Sequence, residues 1–214
     1  MKNSNCLKLY GVPRSGGTLV YNIVRELLSG KATIEPQTHS FFDDSEKAII
    51  TYRDFRDCVV SSWRVGNHFD SPERRKLANY SDLTKTINDY KRQVAEHLNQ
   101  FKNKRSPDKT LYLKYEDWVN NYDFLFGSLQ DFLEIDVSKK QRQRLRSQYS
   151  REEVKKQTKK LETEGFDAYD KLTHFHGHHI YTGRPGTWKE LVWPWDHEKL
   201  TNALKNELES WDYI

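Results

Sequence analysis

Gly11-Val12-Pro13-Arg14-Ser15-Gly16-Gly17-Thr18 is the stretch on which the fold turns. Leu7 and Leu9 alternate with polar neighbours ahead of it, which predicts a short strand. Leu19, Ile23, Leu27 and Leu28 recur behind it at helical spacing. Strand, glycine-rich turn and helix make the frame of a phosphate-binding loop, in which N–H groups at a helix N-terminus face an anion. Gly17 stands where a nucleotide triphosphatase carries its lysine. Without a cation reaching β- and γ-phosphates, triphosphate hydrolysis lacks a central contact, and a ligand with a single 5′-phosphate fits better. Arg14 can hold a phosphate oxygen and neutralise charge on a leaving group. The plainer reading is a glycine turn that merely closes tightly.

Outward from the turn, the pattern of strand, turn and helix repeats. Ser29-Gly30 stops the first helix, and Ala32 to Glu35 reads as a second strand. Ala48 to Tyr52 is a third, more apolar strand, and Asp57 to Val65 a helix with Asp57 near its start. Leu83, Ile87, Tyr90, Val94 and Leu98 mark one face of a long helix, and Thr110 to Lys114 a fourth strand. Leu125, Leu129, Phe132 and Leu133 mark another helix, two basic helices follow, and a last one spans roughly Asp196 to Trp211. Asn67 to Ser81 and Gly165 to Trp195 are the least regular parts and candidate lids over a site. The alternation predicts an α/β fold with a parallel sheet.

At 214 residues the chain suits one domain, residues 1–214, better than two. Aliphatic residues are few, but aromatics at 13% supply buried area for a core. A net charge of +4, from 35 basic and 31 acidic residues, does not demand a polyanion, and no nucleic-acid partner is expected. No apolar run approaches the roughly 20 residues that a membrane span needs, and Met1 to Asn5 does not open a secretory signal. The expected compartment is the cytosol (cytoplasmic), with no membrane partner. Cys6 and Cys58 fall in predicted regular structure and are expected to be reduced and buried. The sequence leaves the oligomeric state open.

Pro13-Arg14-Ser15-Gly16-Gly17-Thr18 resembles the 5′-phosphosulfate loop of sulfotransferases, and Ile49 to Ser61 resembles their 3′-phosphate motif, with Arg53 and Ser61 in the matching places. Independently of the resemblance, Arg53 leaves the end of a strand and Ser61 lies early on the next helix, so both can face one anion above the sheet. Leu113 to Asp117 resembles the family's Tyr-Glu-Asp segment, which brings Tyr115 toward the adenine. A tyrosine there also serves as a core residue. Phe132 to Ile135 resembles the Phe-Leu-Gly stretch that follows. His179 to Lys189 resembles the Gly-x-x-Gly-x-Trp-Lys loop over the 3′-phosphate, with Gly183, Arg184 and Gly186 as candidates. The Arg-Lys pair that precedes the first glycine in many members is Tyr181-Thr182 here, and Arg184 is the candidate for that charge. Leu19 takes the place of an adenine-stacking tryptophan.

The resemblance implies a three-layer α/β/α domain with a central parallel sheet and P-loop NTPase-like topology. It also implies a PAPS-dependent enzyme: a sulfuryl group moves from 3′-phosphoadenosine 5′-phosphosulfate (PAPS) to a hydroxyl or amine, releasing 3′,5′-adenosine bisphosphate (PAP). The acceptor is a small molecule, a sugar or a tyrosine. His39, in Gln37-Thr38-His39-Ser40, resembles the family's Lys-Thr-His segment and is the first candidate for the base, with Gln37 in the lysine's place. Glu35 competes by likeness to the catalytic glutamate of tyrosylprotein sulfotransferases. No metal is implied, and His174, His176, His178 and His179 lack a partner at recognised ligand spacing. The competing classes are a nucleotide or nucleoside kinase, against which Gly17 speaks, and a non-catalytic nucleotide-binding module.

Overall fold

The structure, a computed structural model, describes residues 6–29, 33–34, 47–66, 83–92, 94, 106–164, 168–177, 180 and 182–214. Its elements in chain order are β1 (Cys6–Gly11), α1 (Gly17–Leu27), β2 (Thr33–Ile34), β3 (Lys47–Tyr52), α2 (Phe55–Gly66) and α3 (residues 83–92). β4 (Thr110–Lys114), α4 (Tyr115–Trp118), α5 (Tyr122–Leu133), α6 (Lys139–Gln148) and α7 (Arg151–Glu162) follow. The C-terminal part holds α8 (Trp188–Leu191), α9 (His197–Ala203) and α10 (Lys205–Ser210).

The strands form one parallel sheet in the order β2-β1-β3-β4, with Leu9 opposite Ile49 and Ile49 opposite Leu111. Residues 48–50 of β3 are buried, as expected of a strand covered on both faces. Alternation sorts the side chains. Tyr10, Ala48 and Ile50 pack with Cys58, Val59 and Trp63 of α2, with Leu83 and Ile87 of α3, and with Leu200, Leu204 and Leu208. On the opposite face Leu9, Ile49 and Leu113 pack with α1, α5 and the buried Leu145 and Val154 of α6 and α7. Helices therefore cover both faces, the expected three layers.

Local chemistry sets several boundaries. Asn121 caps α5 by accepting from the Phe124 N–H, Ser138 and Gln141 form a capping box on α6, and Ser150 accepts from the Glu153 N–H to open α7. The single helix expected from Asp196 to Trp211 is divided instead: fully buried Leu204 leaves helical geometry at φ −109° to keep its place between Leu200 and Leu208 in the core. α2 starts two residues earlier than expected, at Phe55, where Asp54 accepts from the Arg56 N–H. Cys58 is buried with a free thiol.

Because β1 and β3 are neighbours running the same way, the turn after β1 and Arg53 after β3 emerge at the same edge of the sheet. The chain goes from β1 to β2 on one side and then to β3 on the other. Such a switch of direction opens a crevice at the carboxyl ends of the strands.

Candidate functional site

The glycine-rich turn is pinned to β3 from below. The Val12 N–H donates to the Thr51 carbonyl at 3.0 Å, and the Ser15 hydroxyl donates to the same carbonyl at 3.0 Å while lying 2.7 Å from the Thr51 hydroxyl. Ser15 is buried and turned toward the sheet. Gly16 has φ +82°, and a Cβ there would meet ring carbons of Trp118 and Tyr115 at 2.9 Å. Both the left-handed backbone and the close approach demand glycine. Arg14 adopts φ +73°, a conformation that costs a non-glycine residue about 1–3 kcal/mol. In return its Nε reaches the Ser61 hydroxyl at 3.1 Å, across 47 residues of chain. Burial, then the nearby Arg64, lower the Arg14 guanidinium to about 10, so it is charged at neutral pH and gains from an anion beside it.

A second cation lines the same crevice. Arg53 is 7% exposed; it pairs with Asp57 at 3.0 Å, lies over the Tyr115 ring at 4.5 Å and donates from Nη2 to the Arg184 carbonyl at 2.9 Å. Its buried Nε has no hydrogen-bond partner among the described residues. Burial works against the Arg53 charge, but Asp57 and, in smaller measure, Tyr115, Cys58 and Glu116 together outweigh it and hold the guanidinium above its ordinary value. Asp57 also accepts from the N–H groups of Gly186, at 2.7 Å, and Trp188, at 2.9 Å. Tyr115 donates its hydroxyl to the Gly183 carbonyl at 2.6 Å. One loop is thus fastened by three residues that are distant in sequence. Glu116, by comparison, ties the N–H of Asp54 to the hydroxyl of Tyr213.

These groups surround a cavity of about 360 Å³. Pro13, Arg14, Gly16, Gly17, Thr18, Arg53, Ser61, Tyr115 and Gly183, all expected at a site, line it; Ser15, Arg184 and Gly186 do not. Arg184 is exposed, its guanidinium 2.7 Å from the Glu190 carboxylate. His39, Glu35 and Gln37 lie outside the described residues, as do His178, His179 and the Asn67 to Ser81 segment. His174 and His176 line the cavity, and the described residues hold no group of three or more His, Cys, Asp or Glu placed to bind a metal.

Two lining cations escaped the sequence reading. Arg64, 4% exposed, follows Asp57 and Ser61 on one face of α2 at positions i, i+4 and i+7, a spacing that could have found it. Arg151 opens α7, 90 residues after Ser61, where no local pattern points to it. Arg14, Arg53, Arg64 and Arg151 face the cavity against the single carboxylate of Asp57 among the described lining residues. That imbalance suits a ligand with more than one anionic group. Buried Arg53 Nε and the glycine cradle at Gly16 fit such groups directly.

The sulfotransferase-domain family model matches residues 32–212. No curated protein sequence matches the chain. Among solved structures, the chain resembles a retinol dehydratase in complex with androsterone and the inactive cofactor PAP. The TM-score is 0.68 at 17% identity, over 98% of this chain and 82% of that one. It also resembles mouse sulfotransferase SULT7A1 complexed with PAP, with TM-score 0.66 at 14% identity, over 96% and 84% of the two chains. Their fold is that of this chain, while the family match rests on the sequence. The chain belongs to the sulfotransferase family and is a PAPS-dependent sulfotransferase.

Proposed function

We propose that the chain, working as one domain, transfers the sulfuryl group to a hydroxyl of a small, largely apolar molecule. We assign Arg14 and the first turn of α1 to the 5′-phosphosulfate, and Arg53 with Ser61 to the 3′-phosphate. The observation that carries the assignment is the Arg14–Ser61 hydrogen bond, which places the turn after β1 and the helix after β3 around one cavity. When bound, PAPS supplies a sulfuryl group activated on its 5′-phosphate. The acceptor oxygen bonds to sulfur as the bond to the leaving phosphate oxygen breaks. Arg14 and the N–H groups of α1 steady the negative charge that accumulates on that oxygen. An imidazole nitrogen of His39 takes the acceptor's proton in this reading, with the Glu35 carboxylate as its competitor.

Val119, Val154, Phe175, Ile180 and Leu191 give the cavity an apolar lining, which favours a small apolar alcohol or phenol over a sugar. Retinol dehydratase, one of the solved structures that the chain resembles, is known in complex with androsterone and also with retinol, which supports that choice. A cytosolic location belongs to the same reading, and the free thiol of Cys58 agrees with a reducing compartment.

Radiolabelled PAPS and a panel of phenols, sterols, sugars, tyrosine peptides and amines provide the test. Label should pass to an apolar alcohol or phenol, and His39→Ala should slow transfer about 10²–10⁴-fold while PAP still binds. Label appearing only on amines or sugars contradicts the acceptor class, and loss confined to Glu35→Gln moves the base to Glu35.

A further inference from the structure

The loop over the proposed 3′-phosphate site lacks the cations that its sequence neighbours in the family would bring, since positions 181 and 182 are tyrosine and threonine. Arg184 does not fill the gap: its side chain is exposed and held by Glu190, and only its carbonyl turns inward, to Arg53 and the Thr187 hydroxyl. Another guanidinium reaches the loop from a different element. Arg151 lines the cavity, and its Cδ and Nε lie 3.4 Å from where a Cβ of Gly183 would stand, with the Tyr115 hydroxyl 3.5 Å from the same point.

Arg151 is held from behind, where its Nη2 donates to the Asn120 side-chain oxygen at 3.0 Å. Its Nε is buried and has no hydrogen-bond partner among the described residues, which is also true of Arg53 Nε. A buried guanidinium N–H left unmatched costs more than a neutral one, so each of these donors calls for an acceptor. The two arginines flank one feature, the Tyr115–Gly183 contact: Arg53 lies over the ring, and Arg151 against the glycine that accepts from the hydroxyl. Burial raises the Tyr115 hydroxyl above its ordinary value, and Arg53 and Arg151 are the two cations acting against that rise. No carboxylate bonds to Arg151 in the described structure, whereas Arg53 has Asp57.

We propose that Arg151 binds the cofactor's 3′-phosphate together with Arg53, supplying from the start of α7 the charge that the loop before Gly183 does not carry. The inference rests on the two-phosphate reading of the cavity and names a residue within it. A phosphate carries several acceptor oxygens, enough to give each of the two orphaned Nε donors a partner.

Calorimetric titration of Arg151→Gln with PAP and with 5′-AMP, which lacks the 3′-phosphate, tests the assignment. PAP should bind about 10–100-fold more weakly than to the unaltered protein, 5′-AMP within about threefold, and Arg151→Lys should recover part of the loss as a point charge. Equal losses for both ligands would make Arg151 a contact of the base or ribose and overturn the proposal, as would PAP affinity within threefold of the unaltered protein. If Arg151→Gln does not fold, Arg151→Lys carries the test. It keeps the charge and loses the planar fork, so a PAP-to-5′-AMP preference lowered by about 3–10-fold supports the phosphate contact, and a preference equal to that of the unaltered protein overturns it. Failure of the unaltered protein to prefer PAP over 5′-AMP is a different result, and it removes the two-phosphate reading itself.

Discussion

The glycine turn of residues 11–18 and the loop of residues 182–188 face the same cavity with glycines at positive φ, Gly16 at +82° and Gly183 at +63°, yet they are held by different means. The turn is built within one strand–turn–helix unit and is pinned from below by the neighbouring strand, through Thr51. Among the described residues, no strand backbone hydrogen-bonds to the loop. Arg53, Asp57 and Tyr115, from two distant segments, supply its long-range fastenings. The lesson is that Arg53 and Asp57 serve two ends at once. The pair that fixes a cation at the proposed 3′-phosphate site also closes the loop beside it, so anion binding and loop closure should respond together to changes there.

Breaking the shared fastening should have the largest effect. Asp57→Ala strands the buried Arg53 charge and removes the acceptor of two backbone N–H groups, for an expected stability loss of about 3–5 kcal/mol in urea denaturation. A loss under about 1 kcal/mol would mean that the loop does not depend on the pair. Gly16→Ala acts on the turn alone. It combines an unfavourable φ with a methyl 2.9 Å from the Trp118 and Tyr115 rings, and should cost about 2–4 kcal/mol, with PAP affinity falling as the turn shifts. Full stability with full affinity would show that the turn adapts. Arg184→Ala should do least: both members of its exposed ion pair with Glu190 are about half solvated, so stability should change by less than about 1 kcal/mol and PAP affinity by less than about threefold. A tenfold loss of PAP affinity would return the loop's charge to Arg184 and sharpen the contrast in the opposite sense.

The same contrast explains what could be read from the residues. β1, β3, β4 and α1 carry their own periodicity, and Thr110 to Lys114 appears as a strand with the expected bounds because its apolar residues and flanking turns are local signals. The approach of Arg53 and Ser61 to one cavity followed from their places after a strand end and on the helix that follows it. Arg64 was legible in principle, one helical turn past Ser61. Arg151 was not, since its place depends on how α7 packs against residues 115–120, and no spacing encodes that contact. The division at Leu204 was hidden for a similar reason: helical periodicity runs unbroken through it, and tertiary packing decides.

Titration of the unaltered protein with PAP, 5′-AMP and ATP with magnesium, followed by calorimetry, tests the two-phosphate cavity most directly. PAP should bind at least about 100-fold more tightly than 5′-AMP, since two or more charge-assisted contacts of about 1.5–3 kcal/mol each are expected at the 3′-phosphate, and magnesium should not be required. Equal affinity for PAP and 5′-AMP, or tighter binding of ATP with magnesium, would contradict the account.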